Sequence, residues 1–101
     1  MKKIIILVPV YNDWESLSKL LSEINISING FDKMIFDCVI INDASTLPQP
    51  EIKKNSNFNS IKIISMIENR GHARCNAFGL QYISKNFTFD YLILMDGDGE
   101  D

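Results

Sequence analysis

The sequence predicts an α/β fold in which a mostly parallel, Rossmann-like sheet is flanked by helices. Short runs of apolar, β-branched residues alternate along the chain with longer segments of helical period. This alternation is typical of parallel sheets, because each connection must return the chain to the same end of the sheet. The length of 101 residues is that of one domain, so we expect residues 1–101 to form a single unit.

The first predicted strand is followed by a turn and a helix. Lys3–Val8 is almost entirely apolar, and we expect Pro9 to end this strand. Asn12 or Asp13 is then placed to cap a helix, and Glu15 lies three residues after Asn12, as in a capping box. The sequence therefore predicts a strand, a short turn and a capped helix.

Apolar spacing predicts the buried face of this helix and the strand that follows it. Asn29–Gly30 is expected to end the helix, and Met34–Ile41 has the composition of a second strand. The residues that follow the helical period are Trp14, Leu17, Leu20, Leu21, Ile24 and Ile28.

The second half of the chain predicts two more strands around a second helix. Glu51–Asn55 is expected to form one helical turn, and Ile61–Ile67 a third strand. A helix is predicted over His72–Asn86, and Gly79 within it indicates close approach to a strand. Tyr91–Met95 is predicted to be a strand buried on both faces. The predicted inner face of the second helix comprises Ala73, Asn76, Ala77, Leu80, Ile83 and Phe87.

A cluster of polar residues follows each predicted strand. These clusters are Tyr11–Asp13, Asn42–Asp43, Asn69–Arg70 and Asp96–Asp98. Because the carboxyl ends of parallel strands lie at one edge of the sheet, we expect all four clusters to meet there. Open α/β sheets bind their ligands at that edge, so the sequence predicts a binding site.

Asp96 and Asp98 are the candidate metal ligands, with a glycine between them that allows the backbone to bend. Two adjacent carboxylates repel unless a cation neutralises them, and hard oxygen ligands suit Mg²⁺ or Mn²⁺. A solvated acidic loop is the alternative for this motif alone. An EF-hand loop is excluded because a predicted strand, not a helix, precedes it.

Composition excludes several classes of protein. The net charge of −3 provides no basic surface for nucleic acid. Cys38 and Cys75 are isolated in the sequence and lack the spacing of a zinc site or a disulfide framework, which indicates a reducing, cytoplasmic setting. No segment has the length of a membrane span or the pattern of a signal peptide. Peripheral attachment at a membrane surface stays open.

Taken together, the motifs resemble family 2 glycosyltransferases. The matching segments, in order, are Val8–Asn12 (VPVYN), Ile41–Ser45 (INDAS), Asn69–Gly79 (NRGHARCNAFG) and Met95–Asp98 (MDGD). Gly99–Asp101 extends the last motif much as in the polyprenyl-phosphate sugar transferase branch. The resemblance covers the whole chain, and it implies a GT-A fold of which this chain is the nucleotide-binding half.

The resemblance also implies a ligand and a set of contacts. The donor would be a nucleoside-diphosphate sugar, in which the nucleotide is UDP or GDP. Pro9 and Tyr11 would wall the base pocket, and Asp43 would hydrogen-bond the base or the ribose. Arg74 would face the nucleotide or its phosphates. Asp96 would bind the ribose and, with Asp98, the Mg²⁺ or Mn²⁺ on the diphosphate.

The chain departs from the family pattern in two respects. Asn42 stands where the family often has the first Asp of a D-D-G-S segment. The acceptor-binding half and its general base are expected beyond Asp101, so we expect the domain to be incomplete and the isolated chain to be unable to transfer sugar. The acceptor stays open, with a lipid phosphate at a membrane surface as one candidate.

Three other functional classes are alternatives to this one. A non-catalytic nucleotide-binding module that needs a partner chain is the main alternative. A nucleotidyltransferase is disfavoured because the segment after the first strand, Pro9–Asn12, has no glycine. A dehydrogenase is disfavoured because no G-x-G-x-x-G follows that strand.

Overall fold

The computed structural model describes residues 1–52 and 57–96 and confirms the predicted α/β class. The described strands form one parallel sheet of four, flanked by two helices. In chain order the elements are β1 (Lys2–Val10), α1 (Trp14–Ser27), β2 (Met34–Asn42), β3 (Ser60–Ser65), α2 (His72–Asn86) and β4 (Tyr91–Leu94).

The order of the strands across the sheet is β3-β2-β1-β4. The chain moves outward from β1 to β2 and β3, and then α2 carries it back to the other side of β1. The direction of progress therefore reverses between β1 and β4. In open α/β sheets this reversal leaves a crevice at the carboxyl ends of the two strands, where ligands bind.

The sheet is covered by α1 on one face and by α2 on the other. Successive side chains of β1 point to opposite faces, both of which are covered, which explains why residues 4–10 of the strand are all apolar. The core under α1 comprises Ile4, Ile6, Val8, Val10, Trp14, Leu17, Leu21, Ile24, Phe36, Cys38, Ile40 and Phe58. The predicted inner face of α1 is confirmed, with Leu20 and Ile28 partly buried at its margin.

The predicted inner face of α2 is confirmed for Ile83, which is buried, and for Phe87, which packs against the same core, but it is wrong for three other residues. The helix buries Cys75, Gly79 and Ile83 against Ile5 and other residues of β1 and β2. Ala73, Ala77 and Leu80, which were expected on that face, are exposed. The small side chain of Cys75 and the absence of a side chain at Gly79 let the helix lie close to the sheet on a face that the predicted residues only partly share.

The close approach predicted at Gly79 is confirmed. A Cβ atom added there would lie 2.6 and 2.9 Å from the two Cδ atoms of Leu7 and 3.3 Å from Cγ1 of Ile41. Both side chains are fully buried. The sheet therefore excludes a side chain at this position, and the helix carries the propensity cost of a glycine.

Pro9 lies within β1 and does not end it, contrary to expectation. Met95 N–H donates to the Leu7 carbonyl and Asp43 N–H to the Val10 carbonyl, each at 2.9 Å. Alternate residues of a strand bond to opposite neighbours, so Pro9 faces β4, as Leu7 does. Since proline has no N–H, the β1–β4 ladder stops at Leu7–Leu94, while the β1–β2 ladder continues to Val10–Asn42.

The ends of the sheet also differ from prediction. β3 ends at Ser65 rather than at Ile67, because its ladder stops where β2 ends, at Asn42. β4 is not buried on both faces: it is an edge strand of the described sheet, and Tyr91 is 57% exposed. Residues 51–52 of the predicted turn at Glu51–Asn55 are not helical, and the rest of that turn lies outside the described residues.

Neither helix in the described part of the chain has the length and apolar character needed to cross a membrane. The two helices instead use their apolar sides to cover the sheet.

We predict that Gly79→Val lowers the free energy of unfolding by about 2 kcal/mol, because the new side chain meets Leu7 and Ile41 in a packed core. Urea unfolding followed by circular dichroism measures this change. Ala77→Val is the matched control: Ala77 is exposed on the same helix, and its substitution should cost about 0.5 kcal/mol through propensity alone. Equal losses of unfolding free energy in the two variants would show that the close contact of Gly79 with Leu7 and Ile41 does not determine the cost of the substitution.

Candidate functional site

The polar clusters that follow the strands do meet at the carboxyl edge of the sheet, as far as they lie in the described residues. The segment after β1 is bonded to the segment after β2, which is bonded in turn to the loop before α2. Asp96 after β4 lies beside the start of α2. The central prediction from the strand pattern is therefore confirmed for these residues.

Asp43 joins the end of β2 to the start of α2. Its Oδ1 accepts a hydrogen bond from Arg70 N–H at 2.7 Å, and its Oδ2 accepts one from Gly71 N–H at 2.9 Å. The side chain is only 1% exposed. Gly71 is the N-cap of α2 and has no capping side chain of its own, so the buried carboxylate of Asp43 satisfies backbone donors that would otherwise be unpaired.

The thiol of Cys75 completes this arrangement. Burial, then the hydrogen bond to Asp43, and then the charge of Asp43 raise the pKa of Cys75 to about 12. Burial, with a smaller effect of the Asp37 charge, raises the pKa of Cys38 to about 12. Both cysteines are free and buried, so both are protonated and unreactive at neutral pH.

Asn12 fastens the segment after β1 to the segment after β2. Its Oδ1 accepts from the backbone N–H groups of Thr46 and Leu47, at 2.8 and 2.9 Å. Its own N–H donates to Ser45 Oγ at 2.8 Å. Asn12 therefore does not form the expected capping box with Glu15; Asp13 is the N-cap of α1 instead.

Two residues of these loops adopt left-handed backbone conformations. Asn12 has φ of 61° and Ala44 has φ of 57°. Asparagine tolerates this region well, whereas alanine pays about 1–2 kcal/mol for it. Asn42 supports the strained turn, because its Oδ1 accepts from Ser45 N–H at 3.0 Å. The network of bonds around Asp43 holds the turn in place.

A cavity of about 350 Å³ lies where β1 and β4 separate. The described residues that line it are Pro9, His72, Asn76, Leu94, Met95 and Asp96. His72 Nδ1 is 4.0 Å from Asp96 Oδ1. A cavity of this size accepts a sugar ring or part of a nucleotide.

The predicted site residues occupy several positions along this edge. Pro9 and Asp96 line the cavity. Tyr11 lies just beyond the end of β1 and is 38% exposed. Asp43 is buried behind the loop before α2. Its contact with a nucleotide stays a prediction. A carboxylate can accept more than two hydrogen bonds, so its bonds to Arg70 and Gly71 do not use all of its capacity.

Arg74, another predicted site residue, is not among the described residues that line the cavity. Arg74 is exposed in the first turn of α2, and lies about 160° around the helix from Asn76 at 100° per residue. Its role as a phosphate partner stays a prediction. Asp98 lies outside the described residues.

The described residues partly fit a divalent cation. Within residues 1–52 and 57–96, no three His, Cys, Asp or Glu side chains cluster in a way that could hold a metal ion. Asp96 nevertheless lines the cavity. Mg²⁺ is commonly held by one or two carboxylates together with water and substrate phosphates. Asp96 suits that arrangement.

Sequence reasoning missed His72 and Asn76 as members of the site. His72 was assigned no chemistry, and Asn76 was assigned to the apolar face of α2. The two residues are four apart on a helix that starts at the carboxyl edge of the sheet, so they lie on one side of its first turns. That spacing was the available signal.

Comparison with known protein families shows which family the chain matches. The sequence profile described as glycosyl transferase family 2 matches residues 5–101. The match includes β1, β2, the loop before α2 and the acidic segment after β4. No curated protein sequence matches the chain.

We predict that Asp43→Asn destabilises the chain by about 2–3 kcal/mol, because the amide loses the charge and turns an N–H₂ group toward one of two backbone donors. Equilibrium unfolding in urea measures the effect. Asp13→Asn is the control, since Asp13 caps α1 by accepting from Ser16 N–H and asparagine caps helices equally well. A stability for Asp43→Asn within about 0.5 kcal/mol of the wild type would contradict the bracing role.

Proposed function

The chain belongs to glycosyl transferase family 2, and on that basis we propose that it binds a nucleoside-diphosphate sugar at the carboxyl edge of its sheet. The donor is linked to UDP or GDP. Transfer would break the bond between the anomeric carbon and the diphosphate oxygen and form a bond from that carbon to an acceptor oxygen. A hydroxyl acceptor would pass its proton to a base, whereas the oxygen of a phosphate acceptor is already ionised at neutral pH.

The observation that carries this proposal is the cavity between β1 and β4. It lies where the strand order reverses, which is the usual ligand position in an open parallel sheet. An acidic side chain, Asp96, lines it beside the start of a 15-residue helix. Apolar walls with a small number of polar groups are typical of small-molecule sites.

The nucleotide base fits best beside Tyr11, outside the cavity. The Tyr11 ring is exposed and offers a flat face on which a base can stack. Pro9 lies at the end of the same strand and borders the cavity. In this arrangement Asp43 acts chiefly by holding the loop that contains Arg70 and Gly71.

We propose that Asp96 and Asp98 hold Mg²⁺ or Mn²⁺ on the diphosphate. Asp96 would supply one carboxylate oxygen, and the phosphates would complete the coordination. A bound cation of this kind would offset the negative charge that develops on the departing diphosphate. The chain carries a net charge of −3, so anion binding needs this local positive charge.

The acceptor is proposed from the sequence after Asp98. Gly99–Asp101 resembles the corresponding segment of polyprenyl-phosphate sugar transferases, which favours a lipid phosphate as the acceptor. Such an acceptor would require the protein to work at a membrane surface. Transfer to a water-soluble acceptor is the alternative.

We predict that the chain binds UDP or GDP in the presence of Mn²⁺, and that Asp96→Asn weakens this binding about ten- to a hundredfold, because one charged ligand of the cation is lost. Isothermal titration calorimetry measures both affinities. Asp98→Ala should remove the dependence of binding on Mn²⁺.

The matched control is Asp32→Asn. Asp32 is an exposed acid just before β2, so it lies at the opposite edge of the sheet and should leave binding unchanged. If no nucleoside diphosphate binds with either Mn²⁺ or Mg²⁺, the proposed function is wrong. If binding is unaffected by both Asp96→Asn and Asp98→Ala, the metal assignment is wrong.

A further inference from the structure

The segment from β3 to the end of α2 differs in charge from the rest of the chain. Residues 60–86 contain four basic residues and a single acid, Glu68, whereas the remaining residues contain six basic residues and twelve acids. Glu68 pairs with Arg70 at 3.2 Å. The segment still has an excess of positive charge on a chain of net charge −3, so this part of the surface attracts anions. The four basic residues, all exposed, are Lys62, Arg70, Arg74 and Lys85.

Exposed apolar residues lie among these basic side chains. Ile67, in the loop after β3, is 99% exposed, and Phe78 on α2 is 36% exposed. Both line a groove of about 370 Å³ to which Arg70 also contributes. The Phe78 ring stacks on that of Tyr82, with 6.4 Å between the ring centroids. Apolar residues that adjoin in this way form a patch, and such patches mark interaction sites, unlike single exposed residues.

The patch continues along α2 toward the end of the helix. Phe78, Tyr82 and Lys85 line a second groove of about 170 Å³. Lys62 Nζ lies 5.2 Å from the centroid of the Tyr82 ring. Arg74, Phe78 and Lys85 lie within about 40° of one another around the helix, at 100° per residue. These residues make one surface, the basic face, which comprises Lys62, Ile67, Arg70, Arg74, Phe78, Tyr82 and Lys85.

We propose that the basic face docks on the surface of an anionic lipid bilayer. Lysine and arginine are attracted by the negative potential of such a surface. Tyr82 combines an apolar ring with a hydroxyl group, which suits the boundary between headgroups and acyl chains. Ile67 would enter that boundary and gain the burial that it lacks in the chain. The proposal goes beyond the proposed function, because it assigns a second surface and holds whether or not a nucleotide binds.

Other partners suit the basic face less well. A second copy of the chain bound through the same face would bring its basic residues against those of the first, and like charges repel. A nucleic acid or an acidic peptide would pair with the basic side chains. However, an aliphatic side chain such as that of Ile67 gains nothing from phosphate or carboxylate groups. A bilayer offers anionic headgroups and an apolar interior together.

Docking through the basic face sets how the chain lies on the bilayer. Ile67 follows β3, so the carboxyl edge of the sheet would lie at the membrane surface. α1 covers the opposite face of the sheet and presents Glu15 and Glu23 to solvent, so it would face away from the anionic lipids. The candidate ligand site lies at the carboxyl edge, where a lipid-phosphate acceptor would approach it from the bilayer.

Cosedimentation of the full chain with lipid vesicles, without nucleotide or added metal, tests the proposal. We expect binding to phosphatidylcholine vesicles that contain about 30% phosphatidylserine and no binding to pure phosphatidylcholine, because the attraction depends on the negative surface potential. Raising the NaCl concentration from about 0.05 M to about 0.5 M should release the protein, because salt screens the charges.

Two variants of the basic face are each matched with a control on α1. Lys85→Gln should weaken vesicle binding about fivefold, the effect of one basic residue at an anionic surface. Lys19→Gln, which removes an exposed lysine of α1, should not. Ile67→Asn should weaken binding about fivefold through lost apolar contact, whereas Ile26→Asn, at a position 74% exposed on α1, should not. Because all four side chains are exposed, each variant should unfold thermally close to the wild type.

Three results would overturn the proposal. The first is that the wild type does not bind anionic vesicles at low salt. The second is that the variants of the basic face lose no more affinity than the controls on α1. The third is that Ile67→Asn leaves vesicle binding unchanged while RNA or polyglutamate binds the chain as tightly as vesicles do, which would assign the face to an acidic macromolecule. Since the assay contains no nucleotide, its failure leaves the proposed function intact, and failure of nucleotide binding leaves this proposal intact.

Discussion

The buried carboxylate of Asp43 is the interaction on which the geometry of the site depends. It accepts hydrogen bonds from the backbone N–H groups of Arg70 and Gly71 and thereby fixes where α2 begins relative to β2. The position of that first turn sets the positions of His72 and Asn76. A charged group this deeply buried is unfavourable unless it is paired, so its two N–H partners and the helix N-terminus are required together.

The second constraint is the absence of an N–H group at Pro9. Because Pro9 faces β4 and cannot donate to it, the β1–β4 ladder stops at Leu7–Leu94 while β1 continues beside β2. The two strands separate at that point, and the cavity lies in the gap. A single imino acid in the first strand thus places an opening at the position where the strand order reverses. The close packing of α2 at Gly79 holds the other wall in place.

Much of this arrangement could be predicted from the sequence. Strand and helix periodicity is local, so the bounds of α2 were predicted correctly, from His72 to Asn86, and the edge at which the polar clusters meet was also correct. The errors arose where a residue's neighbours decide its role. Pro9 was expected to end the first strand. The sequence does not show which neighbouring strand the backbone of Pro9 faces, and therefore which ladder lacks its N–H group.

The packing of α2 against the sheet and the position of each strand within the sheet could not be predicted in the same way. The inner face of α2 depends on how closely the helix approaches the sheet, so Cys75 was overlooked and the exposed Leu80 was placed on that face instead. The exposure of β4 depends on its edge position, which periodicity does not reveal. Asn76 was placed among apolar residues, although its spacing of four from His72 puts both residues on one side of α2. Asp98 lies outside the described residues, so its role as a metal ligand stays a prediction from the sequence.

The location of the ligand is the central claim, and a titration followed by two-dimensional ¹H–¹⁵N NMR tests it most directly. With UDP or GDP and diamagnetic Mg²⁺, the account predicts that the largest shift changes fall on the amides of His72, Asn76 and Met95. Lys2 and Asp90 line a separate cavity near the N-terminal ends of β1 and β4, and their amides should stay unchanged. Shift changes confined to Lys2 and Asp90, or no changes at all, would contradict the account.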